Sequence, residues 1–356
     1  MSSRLLLTHL AIFLALSLAS PAIAAIVIVK ADGTGAAATI QAGIDAASNG
    51  DTILLEPGTY TGVGNRDVDF NGKAVIVTSV SGAALTVIDC QGLGRGFTLT
   101  SGENENSVIS GVTIMNGTAD YGGGIYIAGW GAEVNDNLFA DNDAGSWGGG
   151  LYALGTTATV SNSVIADNSA GFFGGGAYFR DGSPTMRNVT VVGNTGSGAV
   201  VTYTSSLAVE KSIIAFHTTS AMQCFAGGAA TVSCSDLFGN QSNAICGVDA
   251  GQNISEDPLF CDSGDYALLP MSPCTAGNSP CGEQIGGAEE CAVTVSVHDA
   301  GGRLVDVLVD EERDAGPHSV VWNGTDRAGK RVSSGVYFVR MTTPQDSQAK
   351  KMVLLK

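Results

Sequence analysis

A repeat of 26 residues between positions 108 and 194 constrains the fold of this chain more than any other feature of the sequence. The units VNDNLFADN…WGGGLY and VSNSVIADN…FGGGAY follow one another at that spacing, and a partial unit ends at MRNVTVVGN. The recurring asparagines are Asn116, Asn142, Asn168 and Asn194. Repeats of this length are typical of solenoids, propellers or arrays, because one unit cannot bury its apolar face without its neighbours.

Short β-branched runs separated by Gly, Asn, Asp and Ser fill each unit, which favours strands and turns over helices. A parallel β-helix of roughly nine or ten coils fits this pattern best. Residues one period apart then stack into ladders, about 4.8 Å apart along the axis. We expect the recurring asparagines to form one ladder inside the coil or at a corner. His217, the one histidine of the coils, would occupy the same corner slot as Asn194 and Asn240.

Residues 1–24 have the features of a secretory signal peptide. Arg4 precedes a mostly apolar run, and the small residues Ala22-Ile23-Ala24 follow it, which predicts cleavage before Ala25. The run is too short to span a membrane with these flanks, and no later segment is long enough. We therefore expect an exported protein, extracellular or at the outer cell surface, without a transmembrane segment.

The β-helix is expected over residues 25–291, with a short amphipathic helix near its start. Thr39 is placed as the N-cap, Ile40 and Ile44 fall on one face, and Gly50 is placed to end the helix, which would cover the open edge of the first coil. The same region holds 26 acidic and 7 basic side chains, a balance of −19. This acidity argues against nucleic acid as a partner, because phosphate binding needs a basic surface.

The chain has 8 cysteines, and all but the first lie close together near the end of the coils. In an exported chain an even number of cysteines indicates disulfides, which would staple the solenoid where the coils run out. A metal site is the competing interpretation, but no CxxC pair occurs and no histidine lies at ligand spacing. The connectivity stays open. The disulfide candidates are Cys90, Cys224, Cys234, Cys246, Cys261, Cys274, Cys281 and Cys291.

Two sets of aromatic residues follow the period, one on each side of the glycine runs. They are Tyr121, Trp147 and Phe173 before the runs, and Tyr126, Tyr152 and Tyr178 after them. Stacked rings reinforce the registration of coils, by about 0.5–1.5 kcal/mol per pair, so a structural role is the first interpretation. The alternative is a carbohydrate platform, in which flat rings lie beside acidic and amide groups. Trp130 and Phe172 break the repeat and favour a ligand site around the glycine runs.

A polysaccharide lyase is the enzyme best accommodated by the sequence. Uronate lyases remove a proton next to a carboxylate with an Arg or Lys base, usually beside calcium held by Asp and Glu. The candidate bases, which fall on successive coils, are Arg180, Arg187 and Lys211. The candidate calcium ligands are Asp141, Asp167 and Asp181. Solvated charges and turn chemistry are the more common explanations of such residues, and no cofactor other than calcium is indicated.

Several segments of the first 260 residues resemble known β-helix proteins. GTGAAATIQAGIDAASNGDTILLEPGTYTG, VIDCQGLGRGFTLT and SVISGVTIMNG resemble the opening of right-handed parallel β-helix proteins of the pectin lyase-like superfamily. The FADN/GGGLY and IADN/GGGAY units resemble the repeats of polymorphic outer-membrane proteins of bacterial surfaces. The resemblance implies the fold and leaves the function open, because the superfamily includes lyases, hydrolases and adhesins.

From Ala292 the pattern changes to alternating apolar residues and turns, as in AVTVSVH, DAGG and RLVDVLV. It predicts a separate antiparallel β-sandwich over residues 292–356, with Trp322 and Tyr337 as core aromatics. VHDAGGRLV, GPHSVVWNGTDRAGKRVSSGVYFVRM and KKMVLLK resemble the immunoglobulin-like module related to the flagellar hook-cap protein and to type IX secretion sorting domains. This resemblance implies a sorting or anchoring role through the secretion machinery.

The sequence thus predicts an all-β protein, a right-handed parallel β-helix with a short N-terminal capping helix, followed by a small C-terminal antiparallel β-sandwich. For function it favours a non-catalytic adhesion or polysaccharide-binding scaffold whose partner is a polysaccharide or cell-surface glycan. A calcium-dependent polysaccharide lyase acting on acidic glycans and a purely structural surface protein are the alternatives.

Overall fold

A computed structural model describes residues 24–261, 266–287, 292–312, 320–342 and 347–355. It shows a parallel β-solenoid of about 8 turns, followed by a four-stranded antiparallel sheet. The solenoid is shorter than the nine or ten coils predicted, because the chain after Asp249 turns back along the coils instead of adding to them. The predicted signal peptide and Cys291 lie outside the described residues. No described helix is both long and apolar enough to cross a membrane.

Three parallel sheets, named A, B and C, form the walls of the solenoid, and a shorter parallel sheet D projects from its side. Sheet A contains Ile26–Val29, Thr52–Leu55, Ile76–Ser79, Val108–Ser110, Glu133–Asn135, Thr159–Ser161, Thr185–Arg187, Ala229–Ser233 and Gly247–Asp249. Sheet B contains Gly58–Tyr60, Thr86–Asp89, Thr113–Met115, Leu138–Ala140, Val164–Ala166, Thr190–Val192, Ile213–Ala215 and Asp236–Phe238. Sheet C contains Val68–Asp69, Phe97–Leu99, Ile125–Ala128, Leu151–Thr156, Ala177–Gly182 and Met222–Phe225. Sheet D contains Thr118–Tyr121, Asp143–Trp147, Ser169–Phe173 and Thr195–Ser197.

Each central coil runs in the order A, B, D, C, and the long strand Val200–Glu210 joins sheet C to sheet A. The register confirms the predicted period, since Val134 pairs with Val160 and Val160 with Met186. These residues alternate with outward-facing neighbours, and their inward side chains form one continuous core.

The predicted asparagine ladder lies at the corner between sheets B and D. Asn142, Asn168 and Asn194 are 0–1% exposed. The backbone N–H and the side-chain Nδ2 of Asn142 donate to Asn168 Oδ1, and those of Asn168 donate to Asn194 Oδ1, at 2.9–3.0 Å. Asn116 was wrongly placed in this ladder. Met115 pairs with Ala140, a step of 25 residues, so Asn116 aligns with Asp141 and the backbone N–H of Gly117 donates to Asn142.

His217 continues the ladder, as its spacing predicts. Its Nδ1 accepts from the N–H of Asn194 at 3.1 Å, and its own N–H donates to Asn240 Oδ1 at 3.0 Å. The ring is 2% exposed, and burial lowers the pKa of His217 to about 4, although hydrogen bonds to Asn194 and Val191 oppose the shift. A neutral imidazole therefore fills the slot.

We expect His217→Asn to remove part of the acid sensitivity of the fold. The folded pKa lies below the unfolded value of about 6.5, so unfolded chains take up the proton first, and stability falls as pH drops from about 6.5 to about 4, by up to about 3 kcal/mol. An asparagine in the slot does not titrate. Urea unfolding of both proteins at about pH 7.5 and about pH 4.5 measures the difference; an identical loss in the variant would contradict the assignment.

A short helix, Ile40–Ala46, covers the first coil as predicted. Thr39 caps it, since its Oγ1 accepts from the N–H of Ala42 at 3.2 Å, and Ile40 and Ile44 are fully buried in the solenoid core. The helix ends at Ala46, before Gly50, the residue that was predicted to end it. Its apolar face closes the end of the core, which would otherwise be open to water.

The cysteines divide into disulfides and buried thiols. Cys224 is bonded to Cys246 and Cys234 to Cys281, and Cys261 is also in disulfide form. Cys90 and Cys274 are free and buried, so their prediction as disulfide candidates was wrong. Cys90 packs in the solenoid core, and Cys274 donates to the buried carboxylate of Asp236 at 3.2 Å.

Residues 252–261 and 266–287, here named the return segment, fold back over the outer surface of sheet B. Apolar side chains of this segment pack against outward-facing residues of sheet B. The contacts include Phe260 and Tyr266 with Val164 and Val192, and Leu268 and Ile285 with Ile213 and Ala215. Near its end, Gly286 donates to Lys211 O and Gly287 to Thr190 Oγ1. The segment therefore ends two coils before the coil that contains Asp236.

The C-terminal sheet consists of Ala292–Asp299, Leu304–Glu312, Gly335–Thr342 and Ser347–Leu354. Val297, Val305 and Tyr337 are buried on one side, and Trp322 and Val332 from the connection before the third strand pack over them. The rings of Trp322 and Tyr337 lie 4.8 Å apart, which confirms the predicted core aromatics.

Candidate ligand-binding face

Sheet D is a lateral projection, formed where the chain leaves the corner after the asparagine ladder and returns to sheet C. The glycine runs allow this, because the outgoing and returning backbones nearly touch. Gly148 has φ +69°, and a Cβ on Gly149 would lie 2.3 Å from the carbonyl oxygens of both Ser169 and Gly175. Each position in the run thus requires glycine for turn geometry or for close approach.

The two predicted aromatic ladders form a single stack between sheets C and D. The ring of Trp147 lies 5.1 Å from Tyr121 and 5.4 Å from Tyr178, and Tyr152 lies 5.6 Å from Tyr178. Tyr152 and Tyr178 are only 3% and 4% exposed, and burial raises the pKa of Tyr178 to about 12. These two rings are therefore structural, and the rings of sheet D cover them.

Three of the predicted ligand-binding aromatics retain substantial exposure. Tyr121 is 37% exposed, Phe172 61% and Trp130 79%. Phe172 lies in the strand Ser169–Phe173 of sheet D, whereas Trp130 follows the sheet C strand Ile125–Ala128 at the corner leading to sheet A. In the described part of the chain neither Phe172 nor Trp130 contacts another ring. Trp147 and Phe173 are half-buried within the stack.

Two arginines flank the stack. The guanidinium of Arg95 lies over the ring of Tyr126 at 5.2 Å, and that of Arg180 lies over Tyr203 at 5.3 Å. Burial lowers the pKa of Arg95, although the charge of Asp67 opposes the shift. Aromatic rings attract both guanidinium groups, which helps to hold the two side chains along the stack.

One of the candidate bases, Arg180, lies apart from the other two. Arg180 is in sheet C, where its Nε lies 3.5 Å from Asp181. Arg187 faces outward from sheet A and pairs with Glu210 at 2.6 Å, and Lys211 follows that sheet and pairs with Glu283. The structure therefore does not bring the three cations to one substrate.

The candidate calcium ligands are also divided. Asp141 and Asp167 occupy equivalent turns after sheet B with φ of 54°, and Asp167 accepts from Tyr266 Oη at 2.5 Å. Asp181 lies in sheet C and bonds Thr204. Among the described residues no group of three or more His, Cys, Asp or Glu side chains is arranged to hold a metal ion.

A polar groove of about 510 Å³ lies beside the first strand of sheet D. Asn116 donates to Asp89 Oδ1 at 2.9 Å within it. The other residues that line it are Gln91, Gly92, Thr118 and Asp141. No pattern in the sequence indicated this groove, because its residues come from three consecutive coils with unequal lengths.

Comparison with protein families agrees with this architecture. Residues 144–257 match the family described as the right handed beta helix region, and residues 284–347 match the FlgD Ig-like domain. The protein is a right-handed β-helix with a C-terminal Ig-like domain. The match to the Ig-like domain begins within the return segment, so the last residues that pack on the β-helix are also the first that match this domain. The comparison with curated proteins and the comparison with solved structures found no match to this chain.

Proposed function

We propose that this β-helix is an exported, non-catalytic scaffold that binds a polysaccharide across sheets D and C. The observation that carries the proposal is the aromatic stack, whose outer rings remain partly exposed beside the polar groove and the two arginines. Aromatic surface next to carboxylate, amide and hydroxyl groups is the chemistry that recognises sugars, since it offers both apolar contact and hydrogen bonds.

The arrangement of charged residues favours binding over lyase chemistry. A lyase needs a base within hydrogen-bond reach of the proton that it removes, and a cation beside the substrate carboxylate. Arg180, Arg187 and Lys211 are each paired with an acidic residue, and Arg180 lies in sheet C, apart from the other two at the end of sheet A. A calcium-dependent lyase would require a base and calcium ligands close together, which is not how these groups are arranged.

We expect the double variant Trp130→Ala/Phe172→Ala to bind polysaccharide about tenfold more weakly than the parent protein, because two exposed rings lose their contacts. Both side chains are largely exposed, so the melting temperature should not change. Trp147 is less suitable for this test, since its ring supports Tyr178. A broad glycan screen measures binding, and absorbance of an unsaturated uronate in the presence of calcium measures lyase activity.

The matched control is Val63→Ala, which removes an equally exposed apolar side chain, 86% exposed, from a turn near the capping helix. It should bind like the parent. Absence of glycan binding in the screen would refute the binding function, and formation of an unsaturated product would establish the lyase instead.

The C-terminal domain is proposed to deliver or anchor the β-helix at the cell surface. The proposal rests on the Ig-like match and on the resemblance to sorting modules. Deletion of residues 292–356 should leave the chain in the periplasm, as cell fractionation would show. Normal surface delivery of the truncated chain would refute the sorting role.

A further inference from the structure

The aromatic stack is open at one end. The coil before Tyr121 lacks a strand of sheet D, because residues 91–96 pass directly from sheet B to sheet C. Thr118 N–H donates to Gly94 O at 2.7 Å, so glycine backbone lies where the next strand would stand. Tyr121 contacts the rings of Trp147 and Tyr152 in the following coil, and no ring of the preceding coil among the residues that the structure describes.

The other end of the stack is closed. The ring of Phe173 lies 5.1 Å from Phe225, and Val201 is fully buried against the last tyrosine of the stack. Tyr121 is thus the terminal ring of the stack, and its 37% exposure is much greater than that of Tyr152 or Tyr178. A flat apolar group could extend the stack at Tyr121, whereas the guanidinium of Arg95 lies over Tyr126, the other ring of this coil.

The charges near Tyr121 do not suit an anionic ligand. Arg95 is the cation next to this end, and the negative charges of Asp67 and Asp120 already act on it. Asp120 and Asp143 are exposed on the first two strands of sheet D. The β-helix region as a whole has 26 acidic and 7 basic side chains. A carboxylate brought to Tyr121 would therefore meet the like charge of Asp120 in an acidic region, where the guanidinium of Arg95 already lies over the ring of Tyr126.

We infer that the exposed end of the stack at Tyr121 is a sugar subsite and that it takes an uncharged pyranose or furanose ring of a neutral polysaccharide. The inference rests on the proposed function and deepens it. The sugar ring stacks on Tyr121 in continuation of the aromatic stack, and its hydroxyls bond Asp120, whose carboxylate can accept from two adjacent hydroxyl groups. The acidic surroundings of this subsite disfavour acidic polysaccharides.

The test compares Tyr121→Leu, Tyr121→Phe and the control Val63→Ala in the full chain by calorimetric titration. The probes are oligosaccharides of neutral glucans, galactans, mannans and arabinans, and of polygalacturonate and alginate. Tyr121→Leu should weaken binding of the neutral ligand by about tenfold, whereas Tyr121→Phe keeps the ring and should stay within about threefold. Val63→Ala lies outside the aromatic stack and should bind like the parent. Circular dichroism verifies that each variant is folded.

A second arm tests the charge argument. Asp120→Asn/Asp143→Asn should admit the uronate oligosaccharides that the parent rejects, and added salt of about 0.5 M should weaken the discrimination in the parent. Tighter binding of uronates than of neutral ligands by the parent would overturn the inference. A third outcome is that Trp130→Ala/Phe172→Ala abolishes binding of the neutral ligand and Tyr121→Leu leaves it unchanged. This result would overturn the inference about Tyr121 and preserve the proposed function. Binding of neither class would overturn both.

Discussion

Asn168→Ala is expected to lower the free energy of unfolding by about 3–5 kcal/mol. The side chain is fully buried, and its Nδ2 donates to Phe139 O, Ala166 O and Asn194 Oδ1 at 2.9–3.0 Å. Its Oδ1 accepts from both the backbone and the side chain of Asn142. Alanine would leave several of these groups without a partner in a place that water does not reach, which costs more than the loss of an exposed hydrogen bond.

Urea unfolding followed by circular dichroism measures this loss. Asn240→Ala, at the less buried end of the ladder, should cost less, and Asn106→Ala, on an exposed turn, should cost under about 0.5 kcal/mol. A loss of the same small size for Asn168→Ala and Asn106→Ala would show that the ladder contributes little to stability.

Gly149→Ala is expected to be at least as damaging, with a loss above about 3 kcal/mol and partial displacement of sheet D. The added Cβ would lie 2.3 Å from two carbonyl oxygens, which belong to backbone that the coil hydrogen bonds hold in place. Because the aromatic stack depends on that position of sheet D, the variant should also lose glycan affinity. Thermal unfolding and the binding assay measure the two effects.

Gly145→Ala is the matched control, in the strand Asp143–Trp147 that precedes the glycine run. Its added Cβ would lie 3.4 Å from Asp120 Oδ1 and 3.9 Å from Ala119 O, which are ordinary contacts. It should change the free energy of unfolding by less than about 0.5 kcal/mol. Equal effects of Gly145→Ala and Gly149→Ala would contradict the close-approach explanation of the glycine runs.

Periodicity predicted the features that recur, and for a physical reason. In a parallel coil each residue lies directly above its equivalent, so a repeated residue type in the sequence becomes a ladder in space. His217 was placed correctly although it is not an asparagine, because the slot accepts any buried group that both donates and accepts. Asn116 was placed wrongly because its coil is one residue shorter, and a spacing of 26 residues no longer marks the equivalent position.

Structural features that occur only once in the fold had no comparable signal in the sequence. The return segment covers sheet B through contacts such as Tyr266 with Asp167, 99 residues apart, which no local pattern indicates. Cysteine parity predicted disulfides for Cys90 and Cys274, but parity does not distinguish a paired cysteine from a buried thiol that packs as a small apolar side chain. The stack is open at Tyr121 because the preceding coil has no strand in sheet D. In the sequence this difference is visible only as a shorter interval between the strands of sheets B and C.

The route of the return segment determines how the protein would carry mechanical load. The segment passes from the coil of Asp236 back to Gly287, which packs near Thr190. Tension applied through the C-terminal domain would pull on this segment. Covalent bonds would resist it, because Cys281 is bonded to Cys234 of the solenoid and Cys261 is also in disulfide form. In the reduced protein the force would continue along the return segment and uncover the apolar surface of sheet B.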